Sequence, residues 1–245
     1  MKIKIGTYNI QHCLDHLHFL RDGAQIISTK PVADVIRKLG LDVCGLNEVY
    51  NQEMLEGENH CNQAKEIAAE LGYYYHFAKA IDYRGYEYGN ALVSRFPIVS
   101  ARSVPLVLPE KERLKPRYEN RVILIAELDV NGAILTVIVS HFGLSEEEKE
   151  FATRTLLSEL RNIETPIIFM GDLNLTPETA QICRIREALF DTSLLSDPNQ
   201  YTFSSSDPHI KIDYIFVNEQ ITPLSSGVSS LIYSDHLPVF CEISF

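Results

Sequence analysis

A chain of 245 residues, 45% hydrophobic and 22% charged, has the composition of a folded globular protein and enough apolar content to exclude intrinsic disorder. Its 22 Lys and Arg against 33 Asp and Glu leave a net charge of −11. That balance disfavours sequence-blind binding to nucleic acid, which needs a basic face to release counterions, but leaves room for an enzyme that neutralises its own cleft with a cation. No stretch approaches the roughly 18 apolar residues of a membrane-spanning helix.

Met1-Lys2-Ile3-Lys4-Ile5 alternates apolar and basic residues, as a half-buried strand does and a signal peptide does not, and predicts a first strand over Lys2–Asn9. Pro31 suits a first helical position and opens a helix over Val32–Leu39. Strand composition returns at Val43–Glu48, and Asn59–Leu71 reads as a helix stopped by Gly72. Runs rich in Ile, Val, Leu and Tyr predict strands over Tyr73–Ala80, Asn90–Arg95, Ile98–Val107, Arg121–Asp129 and Ala133–His141. Asn131-Gly132 is a hairpin signal between the last two, because both residues tolerate φ > 0. Lys111 to Arg121 reads as a basic loop, a solvated face or one rim of a cleft. Ser145 and Glu148 have capping-box spacing at the start of a helix over Ser145–Leu160. A strand over Pro166–Met170 follows, then a helix over Pro177–Leu189 with Thr176 as N-cap, then strands over Lys211–Val217 and Leu237–Ile243.

No linker-like or low-complexity tract interrupts the series, so residues 1–245 are read as one domain of α/β class, a two-sheet sandwich with helices on the outer faces. Each half carries a strand ending in polar residues, a helix, and a buried strand ending in a carboxylate, a weak internal echo. The five cysteines are scattered and lack a CxxC, and are read as reduced thiols of a cytoplasmic protein.

The chemistry lies where the strands end. Asn9, Glu48, His141, Asp172 with Asn174, Asp213, and Asp235 with His236 each follow or close an apolar run. One polar strand end is an ordinary turn residue or cap. Many can converge on one edge of a sandwich, and converging carboxylates persist only with a cation among them. Asp172 and Asn174 alternate about Leu173, so extended backbone would aim both the same way. His12, Cys13, His16 and His18 form a competing soft-ligand cluster, but their spacing lacks the paired pattern of a zinc motif.

In order, Tyr8-Asn9-Ile10, Asn47-Glu48-Val49, Gly89-Asn90-Ala91, Ser140-His141-Phe142, Gly171-Asp172-Leu173-Asn174, Ile212-Asp213-Tyr214 and Ser234-Asp235-His236-Leu237-Pro238 resemble the endonuclease/exonuclease/phosphatase superfamily, from Thr7 to Val239. The resemblance implies a DNase I-like fold and a Mg²⁺- or Mn²⁺-dependent hydrolase of phosphate esters. It implies Glu48 as main metal ligand, with Asn9 and Asp235 completing the site. Asp172 would orient or deprotonate the attacking water, and Asn174 would hold a phosphate oxygen or the nucleophile. His236, oriented by Asp213, would stabilise charge on the phosphate, and His141 would contact phosphate or act as general acid. Asn90 lies beside the cleft, and Arg121 matches a family arginine for which a salt bridge is an equal reading. His12 is close enough to Asn9 to reach a substrate, and Glu87 could orient His141 or simply be solvated. Asn47 stands where many relatives carry Gln.

A phosphodiesterase or phosphatase acting on a small molecule or lipid headgroup is the favoured reading. A nuclease is second, disfavoured by net charge and by the lack of a basic stripe interleaved with aromatics. A binding module that has lost catalysis is third, and the intact acid and histidine set argues against it. Specificity is expected in the Gln11–Lys30 and Tyr50–Asn59 segments.

Overall fold

The computed structural model of the protein describes residues 1–52, 61–83, 85–108, 118–197 and 200–245. In chain order the elements are β1 (Lys2–Asn9), α1 (His16–Asp22), α2 (Lys30–Leu39), β2 (Val43–Gln52), β3 (Cys61–Asn62), α3 (Gln63–Leu71), β4 (Tyr74–Tyr83), β5 (Tyr86–Ser94), β6 (Ile98–Leu106), β7 (Arg121–Val130), β8 (Ala133–Ser140), α4 (Glu146–Leu160), β9 (Ile167–Asp172), α5 (Ala180–Ala188), β10 (Phe190–Asp191), β11 (Asp213–Val217), β12 (Thr222–Val228) and β13 (Val239–Ser244). A seven-stranded sheet has the order β12-β13-β1-β2-β5-β4, with β3 paired to β2, and a six-stranded sheet has the order β10-β11-β9-β8-β7-β6.

Alternation along the strands divides the apolar residues into layers. Ile5, Val43 and Leu92 of the first sheet meet Leu124, Val137, Met170 and Ile215 of the second in a central core. The outer face of the first sheet packs Leu46 and Val93 under Val35, Ile36 and Ile67 of α2 and α3. The outer face of the second packs Ile138, Phe169 and Phe216 under Leu156, Ile182 and Ile185 of α4 and α5. Each fully buried Leu, Ile or Val contributes about 1.5–3 kcal/mol of transfer free energy. The result is the two-sheet sandwich with outer helices that the sequence predicts.

β1 and β2 are parallel, as are β8 and β9. Those pairs are the echo seen in sequence: a strand, an intervening helix and a parallel strand, once in each sheet. The hairpin at Asn131-Gly132 has both residues at positive φ, 56° and 92°, between β7 and β8. The Ser145/Glu148 capping box closes on both sides, opening α4.

Several elements differ from expectation. The last helix begins at Ala180, not Pro177, with Thr179 as N-cap and no side-chain cap bond; the Thr179 hydroxyl instead donates to the Thr176 carbonyl. Helix α1 carries no predicted counterpart, because its two histidines and short length dilute the helical period. Strand β12 has no predicted counterpart, since Pro223, the serines and Gly227 are poor strand formers, yet an edge strand tolerates a missing donor. The helix expected over Asn59–Leu71 begins only at Gln63, with Asn62 as N-cap, because Cys61–Asn62 pair with β2 as β3; Asn59, His60 and most of the Lys111–Arg121 run lie outside the described residues.

Candidate active site

Sheet geometry gathers the polar strand ends. β1 and β2 run parallel with Asn9, the last residue of β1, opposite Asn47 within β2, which runs on to Gln52 past the expected end at Glu48, so Asn9, Asn47 and Glu48 come to one edge. β8 and β9 do the same in the second sheet, where the Phe142 N–H donates to the Asp172 carbonyl at 3.0 Å. β11 is antiparallel to β9 and sets Asp213 directly opposite Asp172. The approach to β13, antiparallel to β1, brings Asp235 and His236 past Asn9. Gly171 makes the tight approach possible: its φ is +147°, and a Cβ there would stand 1.8 Å from the Ser140 carbonyl oxygen.

Glu48 leaves the regular strand. Pairing of β2 with β5 shifts between Leu46 and Val49, so Asn47 and Glu48 share the space opposite Asn90. Glu48 takes a left-handed φ of 59° in this bulge, which turns its carboxylate into the cleft. Asn47 uses the same irregularity to tie three strands together. Its Nδ2 donates to Asn90 Oδ1 at 2.8 Å and to the Ser140 carbonyl at 3.1 Å, and its Oδ1 accepts from the Asp172 N–H at 3.0 Å.

Asp172 is the meeting point. Its Oδ1 accepts from the Asn174 N–H at 2.9 Å, the local turn bond. Its Oδ2 accepts from Asn9 Nδ2 at 3.0 Å and faces His141 Nε2 at 3.4 Å and His236 Nε2 at 3.5 Å. Asn9 Nδ2 also donates to Glu48 Oε1 at 3.1 Å, while Asn9 Oδ1 accepts from the Gln11 N–H. Asn9 therefore bridges two carboxylates with its amide instead of presenting a free oxygen to a cation.

His236 Nδ1 lies 2.8 Å from Asp213 Oδ2. Burial pulls the His236 imidazole down, but the Asp213 and Asp172 carboxylates outweigh it and push the ring up to about 10. His236 is thus an imidazolium at neutral pH. Burial raises the Asp172 carboxyl and the His236 charge opposes that rise. Phe203 packs on the His236 ring, with centroids 4.9 Å apart.

His141 has the opposite state. Burial, with the Arg121 and His236 charges, holds it well below the ordinary imidazole value. Arg121 has no acceptor and lies with NH1 3.2 Å from His141 Nδ1, so Nδ1 accepts and Nε2 carries the proton of a neutral ring. His141 is then a neutral ring that donates from Nε2, which suits the contact with a phosphate oxygen that the resemblance implies. Arg121 itself is held by Glu119 at 2.8 Å, so the salt bridge and the contact with the site are both present. Glu87 is far from this role: it accepts from Asn51 and pairs with Lys79. Asn174 is not on extended backbone; its φ is 51°, and its Nδ2 donates to the Phe142 carbonyl at 3.0 Å beside His141.

Asn90 is buried, with its amide spent on Asn47 and the Val122 carbonyl, so it supports the site from beneath rather than facing a substrate. His12 stacks on Tyr50, with centroids 4.8 Å apart. The soft-ligand cluster is not assembled: His18 pairs with Asp15, and among the described residues the acid and histidine group within mutual ligand distance is Asp172, Asp213 and His236. In that trio Nδ1 is already bonded to Asp213, which suits a proton relay. The oxygen-rich side fits a hard cation better: Asp235 is raised by burial and further by the Glu48 charge, a repulsion that a divalent ion between them would relieve. Sequence reasoning missed Asn47 as a hub, and Gln63 with Tyr83, Tyr86 and Tyr88 near Tyr50. The one signal available was the density of tyrosine between residues 83 and 88.

A model of the Endonuclease/Exonuclease/phosphatase family matches residues 6–236. "Protein cwh43" of Schizosaccharomyces pombe is 31% identical over 157 residues, 63% of this chain but 15% of that protein. The endonuclease/exonuclease/phosphatase of Beutenbergia cavernae superposes with a TM-score of 0.82 at 22% identity, covering 100% of this chain and 72% of that one. The mannosyl-6-phosphatase Bt3783 of Bacteroides thetaiotaomicron superposes with a TM-score of 0.75 at 18% identity, covering 99% of this chain and 100% of that one.

Proposed function

Because the chain belongs to the endonuclease/exonuclease/phosphatase family, whose members hydrolyse phosphate esters, we propose that residues 1–245 form one catalytic domain that hydrolyses a phosphate ester of a small molecule or lipid headgroup with the help of Mg²⁺ or Mn²⁺. The observation that carries this reading is the buried carboxylate of Asp172, met at Oδ2 by Asn9, His141 and His236. Glu48 and Asp235 would hold the cation, positioned by Asn9, and the cation would neutralise charge on the phosphoryl group.

The remaining chemistry falls to the chain. Asp172, raised by burial, accepts a proton from the attacking water, and Asn174 holds that water or a phosphoryl oxygen. His236, kept charged by Asp213, and His141, a neutral donor kept in its tautomer by Arg121, hold their Nε2 atoms 3.5 and 3.4 Å from Asp172 Oδ2 and would donate from there to the oxygens on which charge grows. A nuclease of short or single-stranded substrates remains the second reading, weakened by the net charge of −11. Among the described residues no helix is long and apolar enough to cross a membrane.

The test is a hydrolysis panel in EDTA and with Mg²⁺ or Mn²⁺, spanning p-nitrophenyl phosphate, bis-p-nitrophenyl phosphate, inositol phosphates, sphingomyelin, RNA and plasmid DNA. Metal-restored turnover of the small esters or of sphingomyelin, exceeding that of the polynucleotides, supports the reading. Full activity in EDTA, or restoration by Zn²⁺ alone, overturns the metal assignment.

A further inference from the structure

The pairing of β1 with β2 stops where the site begins. Its last register pair is Asn9 with Asn47, and the Ile10 N–H then donates to the Asn47 carbonyl at 3.1 Å. β2 runs on to Gln52, with β5 still paired along its other edge, Tyr50 opposite Tyr88. On the edge that β1 leaves, β3 sets Asn62 opposite Asn51. Between those two ladders the bond is made by one side chain, Gln63. Its Oε1 accepts from the Tyr50 N–H at 2.9 Å and its Nε2 donates to the His12 carbonyl at 2.6 Å. The amide does across this gap what a backbone peptide does within a ladder, joining the segment after Asn9 to the strand after Glu48.

The segment it holds is strained. Gln11, His12 and Cys13 are consecutive non-glycine residues at positive φ, 44°, 45° and 61°. Such residues are costly and persist where surrounding contacts over-determine them. The Gln11 N–H donates to Asn9 Oδ1 at 3.1 Å and the Cys13 N–H to the Ile10 carbonyl at 2.7 Å, both local to the turn. Gln63 ties the turn to β2. It is wholly buried, where an amide is tolerated because both of its ends are bonded. Its mount is rigid: it is the first residue of α3, whose N-cap Asn62 accepts from the Lys65 N–H at 3.0 Å and whose Ala64, Ile67 and Ala68 pack in the outer layer of the first sheet.

We propose that Gln63 is a positioning residue for the cation site, holding Asn9 and Glu48 at the separation that gives a divalent ion its affinity. The inference rests on the metal-dependent reading above. Asn9 Oδ1 is taken by the Gln11 N–H, so the turn decides which way the Asn9 amide faces, and Nδ2 is directed to Glu48 Oε1 at 3.1 Å. Glu48, at a φ of 59° in its bulge, lies outside the regular pairing of β2 with β5. Loss of the Gln63 bonds would let the strained turn relax and carry the Asn9 amide with it, and would free the Tyr50 N–H two residues past Glu48. A hard cation depends on the number and placement of its oxygens, so its affinity reports that movement.

The test uses the full chain, treated with EDTA and dialysed, and titrates Mn²⁺ while free Mn²⁺ is read by electron paramagnetic resonance. Gln63→Met keeps length and removes both hydrogen bonds. Gln63→Asn keeps an amide on a stem too short to reach both partners. Ile182→Ala, under α5 on the far outer layer, is the control for lost stability, with melting followed by circular dichroism in EDTA. The expected result is Mn²⁺ affinity about tenfold weaker in Gln63→Met and reduced less in Gln63→Asn, the lower end for groups that support metal ligands, with wild-type affinity in folded Ile182→Ala. Wild-type affinity in folded Gln63→Met overturns the proposal, as does an equal loss in Ile182→Ala. Gln63→Asn decides by the same criteria where Gln63→Met does not fold. A wild type that binds no Mn²⁺ overturns the metal reading itself and this inference with it, whereas tight binding by every variant overturns the role of Gln63 alone.

Discussion

Asp213→Asn isolates the charge that keeps His236 protonated. The substitution nearly conserves shape and keeps an oxygen for the 2.8 Å contact with Nδ1, but removes a full negative charge. At an effective dielectric of about 20, two unit charges about 4 Å apart interact by roughly 4 kcal/mol, which corresponds to about three pKa units. Asp172 remains 3.5 Å from Nε2 and sustains part of the shift. His236, pushed up to about 10 in the native protein, should therefore titrate about two to three units lower in the variant. The sign follows: a group raised in the folded state supports function and stability while protonated, and that support is lost as pH rises through its folded value. The alkaline limb of activity should move to lower pH in Asp213→Asn, and the stability contributed by the pair, complete below the unfolded imidazole value of about 6.5, should shrink at neutral pH. NMR titration of His236 in metal-free wild type and variant gives the direct reading, and a pH–rate series at saturating Mg²⁺ gives the functional one. An unchanged His236 pKa, or a higher one in the variant, would refute the reasoning and leave Asp213 as a strand-end residue.

Three further outcomes follow from the packing beneath the site. Gly171→Ala forces a Cβ against the Ser140 carbonyl and should lower the free energy of unfolding by at least about 2 kcal/mol, read as a fall in the urea midpoint, with loss of activity. Asn47→Ala leaves the Asp172 N–H, the Ser140 carbonyl and Asn90 Oδ1 without that partner, and at about 1–3 kcal/mol for each buried group it should cost more than truncation of an exposed residue, read by denaturant unfolding. Mg²⁺ or Mn²⁺ should raise the melting temperature of EDTA-treated protein with a concentration dependence that Glu48→Gln abolishes, because a ligand that binds the native state stabilises it by mass action.

Local chemistry made parts of the fold legible in the sequence. The Asn131-Gly132 turn and the Ser145/Glu148 box each need particular residues at fixed spacing, and both are where they were expected. Asn9, Glu48, Asp172 and His236 were legible as polar breaks in or beside apolar runs, although only Asn9 and Asp172 end a strand: Glu48 sits in a bulge within β2, and His236 precedes β13. Apart from the Asp213–His236 pair, which the family resemblance implies, their partners were not legible, because partnership depends on register. That Asp213 faces Asp172 follows from antiparallel pairing of β11 with β9, and that Asn47 is a hub follows from a bulge no local pattern announces. Glu87 illustrates the limit: one residue from Tyr88, it points to the other face of β5 and meets Lys79 instead of His141. The charged state of His236 agrees with the Asp213 partner that the family resemblance implies, whereas the neutral state of His141 was invisible, since it depends on burial and on the Arg121 guanidinium beside the ring.

The central claim is that Asp172 activates water in a metal-dependent ester hydrolysis. Its most direct test is single-turnover hydrolysis of one small phosphate ester by wild type and Asp172→Asn, each with Mg²⁺ and in EDTA. The account expects turnover by the wild type with Mg²⁺, none in EDTA, and a loss of at least about 10²-fold in the chemical step for a well-folded Asp172→Asn protein. Equal rates in the two proteins, or a wild-type rate indifferent to EDTA, would contradict it.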